Sequence, residues 1–134
     1  MVTAVDSSVL LDVLTADPVH GNASKTALAK AGQLGRLILC ETVIAEISPA
    51  LSKEDLSRFL AECALDFIPH SLSSAKIAGE YFAQYLKRGG RRERVVPDFL
   101  IASHALVHAD RLLARDRGYY RDYFEQLILI EPDI

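Results

Sequence analysis

Four carboxylates occupy positions from which they could act together. Asp6 directly follows the apolar run V-T-A-V, Glu46 lies inside E-T-V-I-A-E-I, Asp98 follows Pro97, and Asp116 comes two residues after the run R-L-L-A. Crowding such groups is costly: two unit charges ~4 Å apart repel by about 4 kcal/mol at an effective dielectric of 20. A domain is stable by only ~5–15 kcal/mol, so a converging set implies raised carboxylate pKa values or bound cations. Hard oxygen ligands select Mg²⁺ or Mn²⁺. The chemistry that uses such a cluster is phosphodiester hydrolysis, in which a metal-bound water of lowered pKa supplies the nucleophile. A strand-end Asp taken alone is also a common cap or turn residue, so the weight rests on the set.

The elements that must bring these acids together can be read from hydrophobic periodicity. Val2 to Val5 reads as a short buried strand, and Ser7 offers a hydroxyl of the kind found at helix starts. A helix follows to Asp17-Pro18, and a second, Ala-rich helix spans 20 to 32 and ends at Gly32. Arg36 to Cys40 reads as a strand, Thr42 to Ile47 as a helix closed by Pro49, and Ser52 to Ala64 as a helix with Ser52 and Asp55 in capping-box spacing. Leu65 to Ile68 is a third strand, and a long helix runs from Ser71 or Ser73 to about Leu86. After the loop K-R-G-G-R-R-E-R, Pro97 starts a helix to about His108 that carries Asp98 in its first turn. Arg111 to Ala114 and Gln126 to Ile130 are strands four and five. Alternating strands and helices predict an α/β chain with a parallel sheet, whose carboxyl edge is where loops and helix N-termini gather ligands.

At 134 residues, half of them hydrophobic, the chain is expected to form a single domain over 1–134 with its own core. Cys40 and Cys63 are too few and too far apart for a redox or zinc pair; a reduced, buried thiol suits Cys40, and a cytoplasmic setting follows. No apolar run approaches the roughly 20 residues of a membrane span. The net charge of −3 argues against a polyanionic partner until its distribution is examined. Residues 87 to 121 hold nine of the fifteen basic side chains against four acids. Arg91, Arg92, Arg94, Arg115 and Arg117 are the candidates for holding phosphates. A solvated loop and helix face is the competing reading of that charge.

The order V-D-S-S-V-L-L-D, E-T-V-I-A-E-I, P-D-F-L-I-A-S-H-A and L-L-A-R-D-R-G-Y-Y, closing on L-I-L-I-E-P, resembles the PIN-domain nucleases, specifically the VapC-like toxins of bacterial and archaeal toxin–antitoxin pairs. The resemblance covers essentially the whole chain. It implies a three-layer α/β/α PIN-like fold with a five-stranded parallel sheet and a Mg²⁺- or Mn²⁺-dependent endoribonuclease. It further implies an RNA substrate, with transfer and ribosomal RNA as candidates, a cognate antitoxin and a homodimer. Asp6, Glu46, Asp98 and Asp116 match the family's acidic quartet of catalytic and metal-binding residues, and Ser7 matches the hydroxyl residue after its first Asp. The chain departs from many relatives at Ala114, where they carry Thr or Ser, so Asp116 is expected to contribute less directly than Asp6 or Asp98.

His104 and His108 have the i, i+4 spacing of zinc sites but lack the Glu of H-E-x-x-H, which favours a surface or dimer contact. Asp12 reads as part of a solvated helix face, six positions beyond Asp6. Tyr119, Tyr120, Tyr123 and Phe124 could stack on bases, although such clusters more often pack a loop on the core. A phosphatase with a nucleophilic strand-end Asp needs a second Asp where Ser8 stands, and a receiver-like domain needs a strand-end Lys that is absent beyond Lys87. A non-catalytic RNA- or protein-binding module of the same fold is the alternative from another class.

Overall fold

The computed structural model describes residues 1–91, 95–115 and 118–133. The strands are β1 (Val2–Val5), β2 (Arg36–Leu39), β3 (Leu65–Phe67), β4 (Arg111–Leu113) and β5 (Leu129–Ile130). They form one parallel sheet in the order β3-β2-β1-β4-β5. The helices are α1 (Ser7–Leu14), α2 (Gly21–Leu34), α3 (Glu41–Ile47), α4 (Lys53–Glu62), α5 (Leu72–Lys87), α6 (Val96–His108) and α7 (Tyr119–Tyr123). The chain steps one way from β1 through β2 to β3, then crosses back to β4 and on to β5. With right-handed crossovers, α1 to α4 therefore cover one face and α5 to α7 the other, giving three layers.

The central strands are short, β-branched or leucine-rich and buried on both faces, as parallel strands between helices must be. Ala4, Val5, Ile38, Leu39, Leu112 and Leu113 are each at most 2% exposed. Helix α6 is apolar almost all round, with Phe99, Ile101, Ala102 and Ala105 in the core, because α5, α3 and α7 pack on it as well as the sheet.

Several boundaries differ from the sequence reading for local reasons. Helix α2 passes through Gly32 and stops at Leu34, with Gly35 beyond it at φ 155° against the Met1 carbonyl, where a side chain would have no room. Helix α4 starts after Ser52, whose Oγ accepts from the Asp55 amide. Ser71 caps α5 in a reciprocal pair with Ser74. Strand β5 is only Leu129–Ile130, since residues 125–127 turn after α7, the Leu127 amide donating to the Phe124 carbonyl at 3.0 Å. Helix α7, unforeseen in the sequence, begins directly after Gly118, whose φ of +104° is a left-handed conformation that suits glycine.

Candidate active site

Strand β1 pairs with β4 so that Val5 lies opposite Leu113, and the Asp6 amide donates to the Leu113 carbonyl at 2.9 Å. The sheet thereby delivers Asp6 to its carboxyl edge. There the residue keeps extended geometry (φ −77°, ψ 152°) and caps α1, its Oδ2 accepting from the Ser8 amide at 3.1 Å and from Ser8 Oγ. Its Oδ1 accepts from the Tyr120 hydroxyl at 2.9 Å. Asp6 is 5% exposed, so a buried carboxylate is held by three donors from two helices.

Helix α3 brings Glu46 to the same edge, where Ser7 Oγ donates to its Oε1 at 2.9 Å. Pro97 in the first turn of α6 fixes the start of that helix, and Asp98 follows half-buried in the same turn. Asp6, Glu46 and Asp98 line one pocket of about 360 Å³, shared with Ser7, Ser8, Leu11, Pro97, Arg115, Tyr119 and Tyr120. Acids 92 positions apart in sequence thus face a common space. A larger hollow of about 530 Å³, between α2 and the β4–β5 side of the sheet, holds none of these acids. Asp116, Arg92, Arg94 and Arg117 lie outside the described residues; Arg91 is exposed.

The pocket has a buried support that the sequence reading missed. Asp12, expected on a solvated helix face, is 3% exposed. Arg115 grips both its carboxylate oxygens through Nε and Nη2 at 2.8 Å each, and Ser24 Oγ donates to Oδ2 at 2.7 Å. The Arg115 amide also donates to Ser8 Oγ at 3.1 Å, so the second residue after β4 is tied to α1 twice. Asp12 stands one helical turn from Ser8 on the same side of α1. Burial pushes the Tyr120 phenol well above its ordinary range, and the negative charges of Asp6, Asp98 and Glu46 push the same way, so it remains a proton donor. Tyr119 and Tyr123 pack edge-on against Phe99 and Tyr85.

His104 is not at the surface. It is 1% exposed, with Nε2 2.7 Å from the Ile68 carbonyl; burial lowers its pKa to about 4, helped by His108 and His70 against the opposing carbonyl. It is a neutral core histidine at neutral pH.

The pocket's donor set is carboxylate and hydroxyl oxygen. That set fits a hard divalent cation, with Asp6, Glu46 and Asp98 as the residues that would hold it. Comparison with known families decides the lineage, because the PIN domain profile matches residues 3–124. The chain belongs to the PIN domain family. No curated protein sequence matches it. Among solved structures, this PIN domain is similar to VapBC2 from Rickettsia felis bound to a DNA fragment from its promoter, with 22% identity, TM-score 0.70, and 99% of this chain and 100% of that one covered. VapBC-1 from nontypeable Haemophilus influenzae shares 15% identity at TM-score 0.72, covering 98% of each chain. FitAcB from Neisseria gonorrhoeae shares 16% at TM-score 0.67, covering 96% of each. At these identities the likeness is one of fold, and it extends over the whole PIN domain rather than its sheet alone. No helix among the described residues is long and apolar enough to cross a membrane.

Proposed function

We propose that the chain is a Mg²⁺- or Mn²⁺-dependent endoribonuclease of the VapC-like toxin type, held in check by a cognate antitoxin and acting as a homodimer in the cytoplasm. The observation that carries this reading is the meeting of Asp6, Glu46 and Asp98 in one pocket at the carboxyl edge of a PIN sheet. The solved neighbours being toxin–antitoxin complexes supports the partner.

A divalent ion bound there would supply a water of lowered pKa and neutralise charge on the phosphodiester. The chain's own contribution is to hold the carboxylates. Asp6 is fixed by Ser8 and Tyr120, and Glu46 by Ser7, so little reorganisation is needed when the pocket fills. Asp98 and, less directly, Asp116 complete the proposed set. Of the arginines proposed for RNA, Arg115 already spends its guanidinium on Asp12, which leaves phosphate contact chiefly to Arg91, Arg92, Arg94 and Arg117.

Incubating the protein with transfer and ribosomal RNA in Mn²⁺, with and without EDTA, tests the proposal. Cleavage that needs the metal and falls by at least about a hundredfold in Asp6→Asn, Glu46→Gln and Asp98→Asn is the expected result. Metal-independent cleavage would overturn it. Salt-sensitive RNA binding without cleavage, unchanged in Asp6→Asn, would instead establish the binding-module alternative.

A further inference from the structure

A second constellation lies beside the acidic pocket and shares no residue with it. Cys40 follows β2 directly, Glu41 opens α3, and His70 follows the exit of β3. The Sγ, a carboxylate oxygen and a ring nitrogen of these three lie within 4.8 Å of one another. We propose that Cys40, Glu41 and His70 form a binding site for a borderline transition-metal ion, Zn²⁺ by preference, distinct from the acidic pocket.

The chemistry of the donors argues for the ion class. Thiolate and imidazole favour Zn²⁺ and its late transition-metal neighbours, whereas the all-oxygen set around Asp6 favours Mg²⁺ or Mn²⁺. One chain therefore offers two sites of opposite hardness. The geometry needs only small adjustment. Ligands of a tetrahedral Zn²⁺ stand ~3.3–3.6 Å apart, and His70 Nε2 is already 3.6 Å from Glu41 Oε1. Closing the remaining separations from 4.8 Å takes a movement of about 1 Å, within reach of side-chain rotation.

The surroundings are those of a supported ligand set. The His70 amide donates to Glu41 Oε1 at 2.8 Å, and Thr42 Oγ1 lies 3.0 Å from His70 Nε2. The ring also packs edge-on against His104, centroids 5.2 Å apart. Meanwhile His70 Nδ1 is buried with no hydrogen-bond partner among the described residues. With Nε2, the ring nitrogen 3.6 Å from Glu41 Oε1, as the ligand atom, the ring proton sits on Nδ1. Cys40 is 1% exposed, which shields the thiol, while the Glu41 side chain is 50% exposed and leaves a path for the ion. Three protein ligands leave the fourth position for water. The bound ion would clamp the end of β2 to the exit of β3.

Titrating metal-free protein with Co²⁺, in saturating Mg²⁺ to fill the acidic pocket, tests the site. The expected result is a thiolate-to-cobalt charge-transfer band saturating at one ion per chain, displaced by Zn²⁺. The band should vanish in Cys40→Ser, and Co²⁺ affinity should fall by at least about tenfold in His70→Ala and Glu41→Gln. It should persist in Cys63→Ser and Asp6→Asn. Because Cys40 is buried and Cys40→Ser could unfold the chain, the partly exposed Glu41→Gln variant is the decisive one, with its melting temperature measured alongside. A missing band in wild-type protein, a band lost in Cys63→Ser, or undiminished affinity in both Glu41→Gln and His70→Ala would overturn the proposal. None of these readouts depends on ribonuclease activity.

Discussion

The Tyr120 hydroxyl donates to Asp6 Oδ1 across 2.9 Å, joining a helix that starts only at residue 119 to the first carboxylate of the chain. Both groups are buried, at 4% and 5% exposure, so the bond is shielded from competing water. It leaves lone pairs on the carboxylate for an ion while preventing the group from turning. Tyr120→Phe removes only the oxygen. Mn²⁺ affinity, followed by isothermal calorimetry, should weaken by roughly tenfold, with a stability loss of only about 1 kcal/mol. Unchanged affinity would reduce Tyr120 to a packing residue.

The Asp12–Arg115 pair predicts an asymmetry. Removing the cation strands a buried carboxylate, whereas removing the carboxylate frees an arginine whose side chain is 37% exposed and can reach water. Arg115→Met should therefore cost about 3 kcal/mol in urea unfolding. Asp12→Asn, which keeps the Ser24 contact, should cost about 1–2 kcal/mol. The reverse order would show that the pair is not the buried support described above.

Ser7 touches Glu46 without anchoring the core, because Glu46 is exposed. Ser7→Ala should leave the melting temperature within about 2 °C of wild type, as a change of a few tenths of a kcal/mol would. RNA cleavage in Mn²⁺ should fall about tenfold as Glu46 loses its orientation. A large thermal shift with unaltered cleavage would contradict this division.

His104 predicts the acid limb of stability. Its native pKa of about 4 lies below the ordinary 6.5, so between those values the unfolded chain binds the proton and the native one does not. Stability therefore rises with pH across that window and is lost on acidification from about pH 6.5 to 4. The loss amounts to roughly 3 kcal/mol at most. His104→Gln should flatten the slope in urea titrations run between those pH values; an identical slope would assign it to other groups.

The strands and the helices carrying Glu46 and Asp98 were legible because each has a strong local signature: a short apolar run, a proline at the start of α6, a proline closing the turn after α3. What escaped notice depended on approach between distant segments. Asp12 looks solvated until Arg115 arrives from 103 positions away. His104 looks like a surface residue until the Ile68 carbonyl is placed against it. Helix α7 is five residues long and hangs on Gly118, too short for periodicity to register. Tyr119 and Tyr123 pack on Phe99 and Tyr85, as such clusters commonly do, but nothing local marks Tyr120 as the one that reaches a carboxylate.

Asp6 both terminates a strand and caps α1, and that double duty bears on how the protein should be disarmed in the laboratory. Asparagine starts a helix about as well as aspartate, whereas alanine forfeits roughly 1 kcal/mol there. An alanine knockout would merge a chemical lesion with a frayed α1, so that a lost activity could reflect protein turnover alone. The amide substitution separates the two causes, which makes it the suitable form for testing the proposed RNA substrate and the proposed antitoxin.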